Sequence, residues 1–167
     1  MKTETRTTKT LRLIANLEGT IEIFNDGFFR IYYTTVPRIL VKIKYMQRAA
    51  RKEDATRSFS EESFFRIISS HGLREYFDSF ILETSATAGF SIWNVSISFN
   101  EPVLRQIYVK PSFRGRGLAN VMIDAVLNFY RKYISFEEWL VESPNNIMIR
   151  VLKKRSDFDK IKSLGGG

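Results

Sequence analysis

The chain has 167 residues, of which 44% are hydrophobic, and its 26 basic and 18 acidic side chains give a formal net charge of +8. This length and hydrophobic content predict one domain with an ample core, and no stretch approaches the ~20 apolar residues that cross a bilayer. The absence of cysteine and the single histidine exclude disulfides, thiolate metal sites and a histidine-rich metal centre. We expect a cytoplasmic protein whose basic balance favours anionic partners.

The first 36 residues predict a polar arm followed by strands. Residues 1–10 are polar and are expected to form a disordered arm, with a single domain over residues 11–167. Residues 11–24 read as two short extended pieces, and the Asn25-Asp26-Gly27 sequence is a turn signal. Residues 28–36, rich in aromatic and β-branched side chains, then predict a further strand.

The most basic segment runs from Arg38 to Lys52, with six basic residues and no acidic one. The alternation of Val41, Ile43 and Tyr45 with lysines predicts a half-buried strand, followed by basic residues at helical spacing. Two interpretations stay open. The segment is either a solvated face whose cations have long apolar stems, or an edge that contacts the phosphates of a nucleic acid.

Residues 60–77 predict a helix that begins with a serine cap and acidic residues in the first turn. His71, beside Gly72, is interpreted as a C-terminal cap in preference to a catalytic base, because cations suit helix C-termini. Three strands are predicted after this helix, at residues 80–85, 90–99 and 104–109. Serines and asparagine alternate with apolar residues along the second strand, which predicts one solvated face.

The stretch from Leu104 to Tyr133 carries the clearest chemical signal. A short apolar strand ends at Val109-Lys110-Pro111, residues 113–117 contain two glycines and two arginines, and an amphipathic helix follows. The first turn of such a helix presents unpaired N–H donors and the positive end of the helix dipole, which suits an anion. The glycines allow a bulky anion to approach the backbone, and the arginines add positive charge.

This stretch resembles the coenzyme-A-binding motif of the GNAT superfamily of N-acetyltransferases. The family pattern, Arg/Gln-x-x-Gly-x-Gly/Ala after a strand ending in Val-x-Pro, is matched by Val109-Lys110-Pro111 and by Arg114-Gly115-Arg116-Gly117-Leu118-Ala119. The alternative for the same residues is an ordinary strand–turn–helix unit with a basic turn. The resemblance implies acetyl-CoA as cosubstrate. The cofactor-binding residues that it implies are Ile107, Val109, Arg114, Gly115, Arg116, Gly117, Leu118, Ala119 and Asn146.

The resemblance also implies the fold: an α/β domain with a mixed central sheet flanked by helices, here with an N-terminal β extension at residues 11–36. The C-terminus is short, because nine residues follow Phe158 whereas family members usually have two more strands. An open sheet edge invites aggregation. Residues 11–24 or 28–36 are therefore predicted to complete the sheet, within the chain or across a dimer.

After the long helix, Trp139–Glu142 predict a strand, and Ser143-Pro144 predict the start of another helix. This segment resembles the family at Asn146, Leu152 and Phe158. Lys153 stands where many family members have the tyrosine that protonates the leaving thiolate, and Asp157 stands where they have a glycine.

The chemistry that the resemblance implies is the attack of an amine on a thioester carbonyl held against backbone N–H donors of residues 107–109. Lys153 is a candidate general acid, because the unperturbed pKa values of lysine and tyrosine, ~10.4 and ~10, are similar. Glu83 and Glu101 are candidate bases for the amine, although the favoured interpretation of each is a plain surface carboxylate.

The leading prediction is therefore an N-acetyltransferase that moves an acetyl group from acetyl-CoA to an amine of a small molecule or a protein. The alternative is a catalytically inactive GNAT-like binding or structural module, which the changes at Lys153 and Asp157 favour. The intact loop from Arg114 to Ala119 favours the enzyme. A nucleic-acid-associated role through Arg38–Lys52 is a third reading, and the sequence is compatible with a monomer or a dimer.

Overall fold

The computed structural model describes residues 2–4, 10–12, 18–57, 67–97 and 99–164. Its strands are β1 (Lys2–Glu4), β2 (Thr10–Leu11), β3 (Thr20–Asn25), β4 (Arg30–Thr34), β5 (Asp78–Glu83), β6 (Thr87–Ser96), β7 (Glu101–Val109), β8 (Trp139–Glu142) and β9 (Ile161–Leu164). Its helices are α1 (Pro37–Arg57), α2 (Ser70–Tyr76), α3 (Leu118–Tyr130) and α4 (Asn146–Lys153). None of the helices within these ranges is long and apolar enough to span a membrane.

The described strands form one mixed sheet in the order β1-β9-β8-β7-β6-β5-β4-β3, with β2 paired to β6 off this path. The two faces of the sheet are covered by different helices. Successive residues of a strand point to opposite faces, so neighbouring residues of β5 pack against different helices. On one face, Phe80 and Leu82 pack with α3 and with the end of α4. On the other face, Ile81 packs with α1 and α2. This layout confirms the predicted α/β fold.

Strand β6 is buried along nearly its whole length, so the predicted solvated face is wrong. Its polar side chains instead find partners inside the protein, as buried polar groups require. The indole N–H of Trp93 donates to Ser91 at 2.9 Å, and Arg105 donates to the Asn94 side chain at 2.9 Å. The alternating pattern was misleading because helices lie on both faces of the sheet.

Strand β7 changes partners along its length. Its pairing with β6 contains a bulge, since Ile92 pairs with Gln106 while Trp93 pairs with Leu104. Its parallel ladder to β8 covers only Val103 and Leu104. The last five residues of β7 therefore continue beyond the ladder to β8, and a single turn of 3-10 helix at Pro111–Phe113 connects them to the glycine turn.

The N-terminal strands add to the sheet in three places. Strand β2 pairs with Val95 and Ser96 of β6, beyond the point where β5 begins opposite Trp93. Strands β3 and β4 form a hairpin at the β5 side. The C-terminal strand β9 is covered by β1, in parallel, so the prediction that residues 11–24 or 28–36 would cover that edge is wrong. Residues 2–4, inside the predicted arm, do so.

The segment from Arg38 to Lys52 is helical, so the strand predicted at Val41–Tyr45 is wrong. Pro37 occupies the first helical position, where its missing N–H costs nothing. The buried residues of α1 recur at helical spacing, a period that the alternating lysines concealed. These residues are Leu40, Ile43, Met46, Gln47 and Ala50.

Two predicted helix ends also differ from the structure. His71 lies in the first turn of α2, where Ser69 caps the helix by accepting a hydrogen bond from the Gly72 N–H, so its interpretation as a C-terminal cap is wrong. Most of the helix predicted before His71 lies outside the described residues. Helix α4 is capped by Asn145, which accepts from the Met148 N–H at 2.8 Å, and not by Ser143.

Candidate active site

The turn between β7 and α3 is built around two glycines in the left-handed region. Gly115 has a φ of +80° and Gly117 a φ of +71°, a conformation that side chains disfavour. A Cβ added at either glycine would meet no atom within 4 Å. The glycines are therefore required by the backbone path, and the space above them is open.

Gly117 is the N-cap of α3, and no side chain caps this helix. The first turn of α3 contains no acidic residue either, so the N–H donors and the positive end of the dipole face outward without a compensating carboxylate. Arg116 is exposed, and its guanidinium lies 5.8 Å from the centroid of the Phe113 ring. The helix terminus at which the sequence predicts an anion site is therefore positively charged in the structure.

Arg114 is held differently from Arg116. Its Nε donates to the Val109 carbonyl at 2.8 Å, and its Nη2 donates to Glu53 of α1 at 2.8 Å. The guanidinium also lies 5.4 Å from the centroid of the Tyr108 ring, and the Tyr108 hydroxyl donates to the other oxygen of Glu53 at 2.5 Å. In this structure the charge of Arg114 is therefore paired with a carboxylate of the protein.

The last part of β7 is contacted on both faces of the sheet. Ile107 and Val109 border the apolar cluster on the α3 side. On the α1 side, the fully buried Gln47 donates to the Gln106 side chain at 2.8 Å and accepts from the Ile68 N–H at 3.2 Å. The sequence analysis did not identify Gln47 or Glu53. Only a correct prediction of α1 as a helix would have placed both side chains beside the end of β7.

The two candidate bases lie on different strands, at opposite ends of the sheet. Glu83 ends β5 and accepts hydrogen bonds from Arg30 at 2.8 Å and from the Tyr32 hydroxyl at 3.0 Å. Burial and this bond to a carboxylate raise the pKa of Tyr32 well above its ordinary value. Glu101 begins β7 and is separated from Val109 by the length of the strand, about 26 Å at the usual rise per residue.

The predicted general acid, Lys153, and the predicted cofactor-binding residue Asn146 both lie on α4. Lys153 is exposed in the last turn of this helix, and Asn146 is its first residue, next to the capping asparagine. The structure thus places the three candidate proton-transfer residues on three elements: the end of β5, the start of β7 and the end of α4. In the part of the chain that is described, no group of three or more metal-ligating side chains is present.

Asp157, which stands where family members have a glycine, forms hydrogen bonds with two neighbouring side chains. It accepts from Arg155 at 2.8 Å and from the Trp139 indole at 3.0 Å. Burial alone would raise the pKa of Asp157, but these hydrogen bonds and the charge of Arg155 outweigh it and hold the pKa below its ordinary value. Arg155 also donates to Asp124 of α3 at 2.7 Å, so this cluster fastens α4 to α3.

A groove of about 540 Å³ lies between α1 and the end of β7. Two lysines, Lys42 and Lys110, stand on its walls, together with the aromatic side chains of Tyr45 and Tyr108. Tyr45 is exposed, and the guanidinium of Arg48 lies 6.0 Å from its ring centroid. The α1 side of the glycine turn is therefore cationic and partly aromatic.

The end of β7 beyond its ladder to β8, the glycine turn and the uncapped N-terminus of α3 follow one another along the chain. Residues 44–158 match the model of the Acetyltransferase (GNAT) family, and the chain therefore belongs to this family. A search of curated protein sequences returned no match.

Solved structures with the same fold include several acetyltransferases. The xEco2 acetyltransferase domain, solved with a coenzyme A conjugate, is similar at a TM-score of 0.55 and 14% identity, over 80% of this chain and 89% of that one. A ribosomal-protein-alanine N-acetyltransferase from Brucella melitensis biovar Abortus 2308 is similar at a TM-score of 0.54 and 15% identity, over 77% and 88%. An aminoglycoside acetyltransferase from an uncultured soil metagenomic sample, solved with trehalose, is similar at 0.53 and 20%, over 77% and 86%. At these identities the likeness concerns the fold.

Proposed function

We propose that this protein transfers an acetyl group from acetyl-CoA to an amine. The observation that carries the proposal is the N-terminus of α3: Gly117 caps it without a side chain, its first turn contains no acidic residue, and only a short turn separates it from β7. Such a terminus suits the phosphates of coenzyme A, because its N–H donors and dipole both favour negative charge. The family match over residues 44–158 supports this assignment.

In this proposal, residues 115–119 bind the phosphates through backbone N–H groups, and the exposed Arg116 adds a positive charge. Ile107 and Val109 lie on the part of β7 that continues beyond the ladder to β8. Their backbone is placed to align the thioester arm, so that the amine attacks by proximity and the carbonyl oxygen is stabilised by hydrogen bonds.

The proton transfers are assigned only in part. Lys153 is the candidate acid for the leaving thiolate, by its place in the family pattern. The Glu83 carboxylate is already engaged by three groups, Arg30, Tyr32 and, at 3.9 Å, Lys42, and Glu101 lies at the opposite end of β7 from Val109. We therefore assign neither Glu83 nor Glu101 as the base and expect the amine to bind in its neutral form.

Calorimetric titration with acetyl-CoA tests the proposal, and Gly117→Ala has a matched control in Gly19→Ala. Both glycines have a positive φ and open space around a new Cβ, but Gly19 precedes β3 at the opposite end of the sheet from the glycine turn. Both variants place an alanine in the left-handed region, and only Gly117→Ala should weaken binding. Equal affinities in the two variants, or no binding by the natural chain, would contradict the proposal.

The acceptor is proposed only as an amine. The similar structures are named for unlike acceptors, an aminoglycoside in one case and a ribosomal-protein alanine in another. A thiol-release assay against aminoglycosides, polyamines and peptide N-termini would distinguish these classes. Tight acetyl-CoA binding without turnover on any amine would favour the alternative, a catalytically inactive binding module. A cytoplasmic location stays a prediction from the sequence.

A second candidate role, association with nucleic acid, is favoured by the form of α1. Its exposed residues Arg38, Lys42, Tyr45, Arg48 and Lys52 follow one another at helical spacing. A basic stripe with an aromatic side chain is suited to a single-stranded backbone and its bases.

Fluorescence anisotropy with a single-stranded RNA, at two salt concentrations, tests this role. Affinity should fall steeply with salt and with the Lys42→Glu/Arg48→Glu pair. The control is Arg131→Glu/Lys132→Glu, which makes the same charge change on the exposed end of α3. Equal losses in both pairs would show an unspecific charge effect and no site on α1.

A further inference from the structure

Arg114 is the first residue of the proposed phosphate loop, and its side chain has three contacts. It donates to the Val109 carbonyl, donates to Glu53 and lies over the ring of Tyr108. Its side chain is 34% exposed and that of Glu53 is 24% exposed. A charge-assisted hydrogen bond at such a partly buried position is stronger than an exposed surface ion pair.

These contacts place the guanidinium on the α1 side of the sheet. Tyr108 belongs to the apolar cluster that α1 and α2 cover, and Glu53 itself lies on α1. Helix α3, whose N-terminus is the proposed phosphate site, packs on the opposite face. The charge of Arg114 is thus neutralised on the α1 face of the sheet, while the backbone of its loop continues into α3 on the opposite face.

We propose that Glu53 is a positioning residue for the coenzyme A loop. This inference rests on the proposed function, because it takes the loop to be the phosphate site. Glu53 and Tyr108 fix the Arg114 side chain, and the bond from Arg114 to Val109 ties the start of the loop to the end of β7. The backbone N–H groups at Gly117 are thereby presented before any ligand arrives.

A second contact of α1 has the same effect on the strand. The buried pair of Gln47 and Gln106 fixes the residue next to Ile107, in the part of β7 beyond the ladder to β8. Helix α1 therefore supports both the strand and the loop that the thioester and the phosphates would contact. Preorganisation of this kind strengthens binding because less ordering is left to occur with the ligand.

The test replaces Glu53 and measures two quantities. Amide hydrogen exchange of residues 112–118 in the ligand-free protein reports the order of the loop. Calorimetry reports the Kd for coenzyme A, and steady-state kinetics separates KM from kcat. The control is Glu138→Ala, which removes an ion pair of similar length, 3.1 Å to Lys162, away from the loop.

For Glu53→Ala we expect faster exchange in the loop and a Kd about tenfold higher, which corresponds to ~1.4 kcal/mol, with kcat unchanged. A lower Kd would overturn the proposal, because it would mean that Glu53 competes with the phosphates for Arg114. Unchanged exchange would overturn it as well, whatever the Kd.

The two proposals fail in different ways. A natural chain that does not bind coenzyme A refutes the proposed function, while the exchange of the ligand-free loop still decides whether Glu53 orders it. Glu53→Gln, which keeps the shape and removes the charge, provides the same two readouts if Glu53→Ala does not fold. Glu138→Ala should match the natural chain in both measurements.

Discussion

Arg155→Met should destabilise the protein by removing the centre of the cluster that joins α4 to α3. Arg155 donates to Asp157, to Asp124 and, at 3.3 Å, to Asn120, and its side chain is 8% exposed. Methionine preserves much of the apolar stem and removes the charge. Of the two side chains that donate to Asp157, only the Trp139 indole would then remain.

The expected loss is about 2–3 kcal/mol, the usual cost of removing a hydrogen-bonding partner from a buried charged group. We use the low end of the range for buried ion pairs because Asp124 is largely exposed, at 63%, and its bond is screened by solvent. For a chain of this size the loss corresponds to a Tm lower by roughly 5–10 °C. Urea denaturation and calorimetry at pH 7 would measure it.

The pH dependence gives a second readout with a definite sign. The pKa of Asp157 is lower in the folded protein than its ordinary value. Its contribution to stability is therefore present above the unfolded pKa of ~3.9 and is lost as pH falls through the folded pKa. In Arg155→Met the stability lost on acidification should be smaller, because burial without Arg155 disfavours the charged form of Asp157.

The reasoning would be refuted by a loss below ~0.5 kcal/mol, the range of ordinary surface substitutions, or by an unchanged pH dependence. Arg131→Met is the control, because Arg131 is exposed and its described side-chain bond goes to Asn128, three residues earlier. It should change the free energy of unfolding by less than that limit.

Three further predictions concern separate parts of the chain. Arg12→Ala should lower the free energy of unfolding by about 2 kcal/mol, because Arg12 is buried and donates to the Arg74 carbonyl and the Tyr33 hydroxyl. The control in urea denaturation is Arg74→Ala, which removes only an exposed ion pair with Glu18. Asn145→Ala should cost about 1 kcal/mol through the lost cap of α4, whereas Asn146→Ala should leave the unfolding midpoint unchanged. If Lys153 is the general acid, Lys153→Met should lower kcat in a thiol-release assay and Lys153→Tyr should retain it, and full activity of the methionine variant would exclude this role.

The sequence predicted those features that depend on neighbouring residues. The strand, glycine turn and helix at residues 104–130 follow from a local pattern, since Gly115 and Gly117 are needed for the backbone path itself. The hairpin around Asn25-Asp26-Gly27 is local in the same sense. Because a glycine or a helical period acts through adjacent residues, such elements need no knowledge of the rest of the chain.

What the sequence did not predict depends on contacts between distant segments. Lysines between apolar residues made α1 look like a strand, and only its packing on the sheet shows which of its residues are buried. Glu53 meets Arg114 across 61 residues, and Gln47 meets Gln106 across 59. Neither pair follows from composition or spacing.

The N-terminal strands show the same limit. The sequence predicted an open sheet edge but not the strand that covers it, because the backbone pairing of a short polar segment such as Lys2–Glu4 leaves no hydrophobic pattern in the sequence. Their pairing with β9 depends on where the chain returns, which no local pattern records.

Hydrogen exchange of the natural chain with and without coenzyme A tests the central claim most directly, because it reports where the ligand binds as well as whether it binds. We predict slower exchange at residues 107–109 and 115–121, with no change at residues 18–20, which lie at the opposite end of the sheet. Protection that is absent from the start of α3, or that lies only along the basic face of α1, would contradict the account.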